Sequence, residues 1–320
     1  MIGQRCYGKR AWTLSEVCFG AMRMTLEQTG GLLEKLFEWG VDTHHSSHEY
    51  DCHAIYLKRL AEARGEGRAF KHVVKLANPH FGESKFDPRG FEQAIDRELH
   101  DLNADTLHNV QWLLRSQPIN DRDRLEVLRR DREQIEPTFQ RLLQSGKVLS
   151  FSSFPYSTDF ATATLQLPAV SGLTTYLNLL EPEYAEFAAE ETPLLAIRPL
   201  AAGKLKSAYV SRLDDDMQRR FTEFAKAADS HGAIDLAERE SLGDSPDARW
   251  PNLLATALRY PLLHPHVVST IISMRDLAQA EQTCRLAAGV QPDFERFETL
   301  RAAASLLPSF ADCQPREIAR

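Results

Sequence analysis

Apolar residues along this chain fall into two alternating textures. Short continuous runs rich in Val, Ile, Leu and Phe, bounded by Gly, Pro or Asn, predict buried strands. Longer stretches with apolar residues three and four apart predict amphipathic helices. The strand-like runs are 16–22, the segment opening at Gly40-Val41, 72–77, 109–113, 148–151, 173–176, 194–197 and 267–272. Helical spacing fills 26–39, 54–64, 91–102, 122–145 with a break at Pro137, 159–165, 182–190, 217–228, 252–260, 277–286 and 294–307. Residues 1–12 read as a hairpin or irregular lead-in, and 243–247 as a surface loop.

About eight strand–helix units in 320 residues fit a closed (β/α)8 TIM barrel, an α/β fold, better than an open doubly wound sheet. No Gly-x-Gly-x-x-Gly follows the first strand, which counts against a dinucleotide-binding Rossmann domain. No shift in composition marks a second unit. Residues 1–320 are therefore expected to be one barrel domain with a short N-terminal lead-in and a C-terminal helical tail.

Charge narrows the partners. A net charge of −7, with no face-sized block of Lys or Arg, argues against nucleic acid or an anionic membrane surface and leaves a small molecule. No run of eighteen apolar residues occurs, and the first dozen residues lack the apolar core of a secretory signal. The five cysteines form no Cys-x-x-Cys pair, so they read as reduced thiols of a cytoplasmic protein rather than a disulfide frame.

Chemistry concentrates in Gly40-Val41-Asp42-Thr43-His44-His45-Ser46-Ser47-His48-Glu49-Tyr50, where three histidines and a tyrosine are expected just past a strand's C-terminal end. That is where α/β proteins place ligands. A second anomaly is Lys75, inside a β-branched run, since a buried ammonium is costly unless paired or functional. Tyr50 and Lys75 together suit a general acid with a cationic neighbour. For the histidines several roles compete. His45 could hydrogen-bond Lys75, and His48 could orient substrate. The cluster with Cys52 and His53 could hold a transition metal, or the whole could be a polar loop. A strand-to-loop segment does not converge its side chains as a helical His-x-x-x-His does. No metal is therefore assigned.

In order and spacing, these motifs resemble the aldo-keto reductases along nearly the whole chain. Gly40-Val41 to Tyr50 is similar to the family's second-strand pattern Gly-Val-x-x-x-Asp-Thr-Ala-x-x-Tyr, and Lys75 stands where that family has its strand lysine. Gly146-Lys147-Val148 with Ser152-Ser153-Phe154, then Leu177-Asn178-Leu179-Leu180, follow its later motifs. Pro199-Leu200-Ala201-Ala202-Gly203-Lys204-Leu205 is similar to its cofactor loop, and Ser273-Met274-Arg275 to its Gly-x-Arg.

The resemblance implies an NADP(H)-dependent oxidoreductase. Tyr50 would give a proton to a carbonyl, with Lys75 lowering its pKa. Ser152, Leu200, Gly203, Lys204, Ser273, Arg275 and Gln282 would lie along the cofactor, Arg275 at its 2′-phosphate. Two of the family's four catalytic positions differ. His45 stands in place of the aspartate, and Leu113 in place of the histidine. Ser153, Thr174 and Gln282-Thr283 also replace the family's usual cofactor contacts. Slow or narrow turnover is expected, the alternative being a barrel retained for binding, cofactor sensing or scaffolding.

Overall fold

Both textures find partners in a computed structural model that describes residues 1–115, 121–230 and 253–314. Strands β1 (Gln4–Cys6) and β2 (Thr13–Ser15) pair antiparallel, so the lead-in is a hairpin. The chain continues through β3 (Val17–Gly20), α1 (Leu32–Glu38), β4 (Thr43–Ser46), α2 (His53–Ala63), β5 (Lys71–Ala77), α3 (Pro88–Asp101), β6 (Asn109–Leu113) and α4 (Asp121–Gln144). Next come β7 (Phe151–Ser153), α5 (Thr158–Thr164), β8 (Val170–Tyr176), β9 (Leu194–Ile197), α6 (Ser207–Val210) and α7 (Asp215–Ser230). After α8 (Leu253–Leu263) follow β10 (Val267–Ile272), α9 (Leu277–Ala287) and α10 (Phe294–Ala304).

Strands β3 to β10 close a barrel in sequence order, each parallel to its neighbour, with β10 returning to β3. This is the expected (β/α)8 architecture. Among the described residues no helix is long and apolar enough to cross a membrane. The loop expected at 243–247 lies outside the described residues.

The helices pack on the barrel through an aromatic layer in which Phe139 meets Phe86, Phe91, Trp112 and Phe151. That layer explains one departure from the pattern. Helix α4 runs through Pro137 instead of breaking there. Ending at the proline would forfeit the burial of Phe139 and Leu142. Each such side chain contributes about 1.5–3 kcal/mol, together outweighing the roughly 3 kcal/mol cost of an internal proline.

Other boundaries moved for local reasons. Helix α1 starts at Leu32, not 26, because Gly31 takes a left-handed φ of 68° immediately before it. Residues 182–190 form only a 3-10 turn, Glu183–Phe187, since Ala185 alone of that turn is buried and no apolar stripe fixes a helix.

The barrel's two ends differ. At the N-terminal end the hairpin acts as a plug. Tyr7 stacks on Trp12 at 4.7 Å, and the Tyr7 hydroxyl accepts from Asn109 Nδ2 at 3.1 Å. Leu14, Cys18, Val73, Leu195, Val268 and Ile271 complete this inner core. The C-terminal end carries the loops with the candidate chemistry.

Candidate active site

The second barrel strand divides the histidines. β4 spans Thr43–Ser46, so His44 and His45 lie within it rather than beyond its end, and alternation sends them to opposite faces. His44 points outward, its ring near Phe70 and its Nδ1 3.2 Å from the Tyr56 hydroxyl. Burial pushes its pKa down to about 3. His45 points into the barrel and bonds through Nε2 to Gln111 Oε1 at 2.8 Å. Burial, reinforced by the charge of Lys75 against the Gln111 hydrogen bond, takes it down to about 4, so it is neutral.

His48 turns away as well. Its Nδ1 meets Glu98 Oε1 at 2.7 Å, and its backbone N–H donates to the same oxygen at 3.1 Å. That hydrogen bond to fully buried Glu98 raises the His48 pKa. His48 is thus a fastener between the loop and α3, apart from the Tyr50–Lys75 pair. Cys52 donates its thiol to the Ala21 carbonyl. Among the described residues no group of three His, Cys, Asp or Glu side chains is placed to hold a metal ion.

Lys75 is not unpaired, and its partner is not His45. Lys75 Nζ lies 3.0 Å from Glu49 Oε2, and Arg115 Nη1 lies 3.0 Å from the same oxygen. His80 Nε2 stands 3.5 Å from Glu49 Oε1 and 2.9 Å from Arg115 Nη1. The carboxylate missing from the strand has been supplied by the loop, one residue before Tyr50. Burial alone would raise the Glu49 pKa, but Lys75, Arg115 and His80 together hold it below the ordinary carboxylate range. Burial lowers the Lys75 pKa, Glu49 offsets part of that, and Arg115 adds to the lowering.

Tyr50 completes the group, with Lys75 Nζ 4.8 Å above its ring centre. The expected lowering of its pKa is not what the geometry gives. Burial, then the neighbouring Glu49 carboxylate, pushes the phenol above its usual range. Lys75 lies over the ring face and is tied to Glu49, so its charge is largely spent on that carboxylate. At the end of β6, Leu113 is 7% exposed and, as its identity dictates, supplies no polar group at the position that the resemblance gives to a histidine.

The expected cofactor residues divide into three sets. Ser152 is enclosed: its hydroxyl bonds Asn109 Oδ1 at 2.7 Å and Thr174 Oγ1 at 2.6 Å inside the barrel. Ser273, Arg275 and Gln282 are exposed around the start of α9, where Asp276 caps the helix by accepting from the Gln279 N–H. The Arg275 guanidinium has no ion-pair partner among the described residues.

The loop after β9 is unusual in backbone. Arg198, Ala201 and Ala202 hold φ of 61°, 46° and 56°, and Gly203 holds 94° with open space where a side chain would stand. Left-handed non-glycine residues cluster at ligand sites when the surroundings enforce them. Leu200 packs against the core at the head of this loop. Lys204, however, is 9% exposed and donates to the Phe310 carbonyl at 2.6 Å, its ammonium 3.9 Å from that ring's centre. A cleft of about 600 Å³ opens at the opposite end of the barrel, lined by Arg5, Glu16 and His266, and includes none of these groups.

Glu49, His80, Arg115 and Gln111 are neighbours of this group that no sequence motif singles out. For Glu49 the sequence shows only a carboxylate next to Tyr50, and nothing in it predicts the contact with Lys75.

No protein-family model matches the chain. An aldo-keto reductase of Babesia bovis is 26% identical over 230 residues, covering 63% of this chain and 81% of that protein. Among solved structures, the holo form of an aldo-keto reductase from Bacillus halodurans superposes with a TM-score of 0.67 at 17% identity, over 98% of this chain and 100% of that one. A thermostable aldo-keto reductase in complex with the inhibitor epalrestat gives 0.63 at 13% identity, over 94% and 100%. These structural likenesses speak for the fold, and the sequence relative carries the same family name. In sequence the chain is similar to one aldo-keto reductase, and in fold to several.

Proposed function

We propose that this chain is an NADP(H)-dependent oxidoreductase that reduces a carbonyl group, with Tyr50 as proton donor. The observation that carries this reading is the Glu49–Lys75 pair set over the Tyr50 ring at the C-terminal mouth of the barrel. A buried lysine with a specific carboxylate beside a phenol is an arrangement that active sites use to control proton transfer.

The cofactor's phosphate end finds suitable donors in exposed Arg275 and in the backbone N–H groups that open α9. The left-handed Arg198–Gly203 turn offers open backbone beside it. When bound, the nicotinamide supplies the hydride. The chain's own part is to hold the carbonyl oxygen near the Tyr50 hydroxyl and to deliver the phenolic proton as charge develops there. Lys75 over the ring and the nearby charge of Arg115 favour the phenolate left behind, while Glu49 keeps Lys75 in place. Because the phenol's pKa is raised, proton delivery is uphill, which fits slow turnover or a substrate with a basic carbonyl oxygen.

A second reading, a barrel kept for binding or cofactor sensing, draws on that raised phenol and on the engagement of Lys204 by the tail. Two measurements separate them. A fluorescence titration with NADPH is expected to show saturable binding. Tyr50→Phe is then expected to cut NADPH-dependent carbonyl reduction by roughly 10²–10⁴ without changing cofactor affinity. Unchanged turnover in that variant would remove Tyr50 from the chemistry, and binding without any turnover would favour the second reading.

A further inference from the structure

We infer that the mouth of the barrel takes a carbonyl substrate bearing a carboxylate, anchored by Arg115; this rests on the reductase reading above and specifies its substrate class. Glu49 is a single carboxylate lying 3.0 Å from both Lys75 Nζ and Arg115 Nη1, with all three side chains about 15% exposed. Among the described residues these two cations share this one anion, which leaves positive charge in a half-buried pocket, where unneutralised charge is costly. A negatively charged ligand group removes that cost.

The geometry favours a planar anion. Arg115 meets both Glu49 and His80 through the one nitrogen, Nη1, and its guanidinium also lies by the Tyr156 hydroxyl, whose pKa it lowers against burial. A guanidinium has five N–H donors in a rigid fork, and that fork matches a carboxylate in bidentate fashion. The group lies 4.9 Å over the ring of Phe81, which is itself 44% exposed and offers an apolar wall beside the charge. Leu113, at the end of the strand that leads into Arg115, presents hydrocarbon. Charge at one edge and hydrocarbon at the other describe a small acid with an apolar body, its carbonyl set toward Tyr50. Arg115 is a specificity residue here and carries no transferred proton, although its charge also opposes the rise in the Tyr50 pKa.

The test compares 4-carboxybenzaldehyde with 4-methylbenzaldehyde as substrates of the full-length protein with NADPH. The acid is expected to have the higher kcat/KM, by roughly 10–100-fold, the weight of one charge-assisted hydrogen-bond pair. Arg115→Met is expected to collapse that ratio toward one, chiefly through KM for the acid, with Arg115→Lys intermediate. Equal kcat/KM for the two aldehydes in the unaltered protein overturns the proposal, as does a ratio that survives Arg115→Met.

A binding arm without turnover keeps the two readings apart. Benzoate is expected to raise the melting temperature of the unaltered protein and not that of Arg115→Met, while benzamide raises neither. If neither aldehyde is reduced but benzoate still stabilises through Arg115, the reductase reading fails and the anion anchor stands. Equal shifts with benzoate and benzamide sink the anchor, whatever the turnover.

Discussion

Strand β5 carries two inward lysines four residues apart, and the barrel treats them differently. At the closed end, Lys71 Nζ meets Asp42 Oδ2 at 2.8 Å, Gln4 Oε1 at 2.8 Å and Thr13 Oγ1 at 3.3 Å. All three of its protons have acceptors, two of them from the hairpin plug. At the open end, Lys75 has Glu49 and the face of the Tyr50 ring. The same residue type on the same strand is a structural bolt at one end and an under-satisfied cation at the other. On the proposed reading, the completeness of the partner set, rather than the presence of a buried charge, separates the supporting lysine from the catalytic one.

The sharpest way to break that contrast is to remove each ammonium in turn. Lys75→Met is expected to reduce carbonyl turnover by roughly 10²–10³ while leaving stability nearly unchanged, because Glu49 keeps Arg115. Lys71→Met is expected to do the reverse: activity within a few-fold, and stability lower by about 1–3 kcal/mol, because Asp42 loses its cation. Steady-state rates and urea unfolding on both variants read this out. Equal loss of activity in the two would erase the distinction.

Glu49→Gln has a smaller expected effect, roughly 10–100-fold on turnover, with a signature in pH. Glu49 raises the Lys75 pKa against burial, so its loss lets that pKa fall further. Lys75 then loses its proton at lower pH, and the alkaline limb of the pH–rate profile moves toward neutrality. An alkaline limb that stays in place would show that Lys75 does not report through Glu49.

These partner sets mark what sequence could and could not reveal. The barrel was legible because strand-length apolar runs alternate with helical spacing, and because Lys75 interrupts one of those runs. Asp42 itself precedes β4 and pairs with Lys71 at the closed end, away from Tyr50. The Glu49 contact was not legible, because loop residues have no fixed period and a reach of one residue before Tyr50 depends on how Ser47 and His48 are held. Those anchors are long-range: the Ser47 hydroxyl on the Lys75 carbonyl, and His48 on Glu98. Arg115 and His80 come from two further loops and meet Glu49 only once the barrel has closed.

Acid lability should not distinguish the two ends. Burial holds His45 near the mouth down to about 4, and His264 at the closed end down to about 4 as well. Both values lie below the ordinary imidazole value near 6.5. Between those limits the unfolded chain binds protons that the folded chain refuses, so stability is intact above about pH 6.5 and declines as pH falls toward 4. Each such histidine contributes up to about 1.4 kcal/mol per pH unit in that window. Urea unfolding at pH 7, 6 and 5 should therefore show loss beginning above the carboxylate range, and a flat profile down to pH 5 would contradict it.

The smallest expected effect concerns the loop after β9, where the open end acquires a cover of its own. Phe310 lies between two cations, with Arg198 4.9 Å and Lys204 3.9 Å from its ring centre. Its carbonyl accepts from Lys204, and the Tyr209 hydroxyl donates to the Cys313 carbonyl at 2.9 Å. Lys204 was expected along the cofactor, yet here its ammonium is committed to the tail. Truncation after Pro308 releases Lys204 while sparing α10 and the contacts of Arg220 with Leu306 and Leu307. If Lys204 serves the anionic cofactor, the truncated chain binds NADPH a few-fold more tightly, in line with the roughly 1 kcal/mol net value of one hydrogen bond. Lys204→Met in the truncated chain should cancel that gain. Unchanged affinity after truncation assigns Lys204 to the tail alone, making it the open end's counterpart of Lys71.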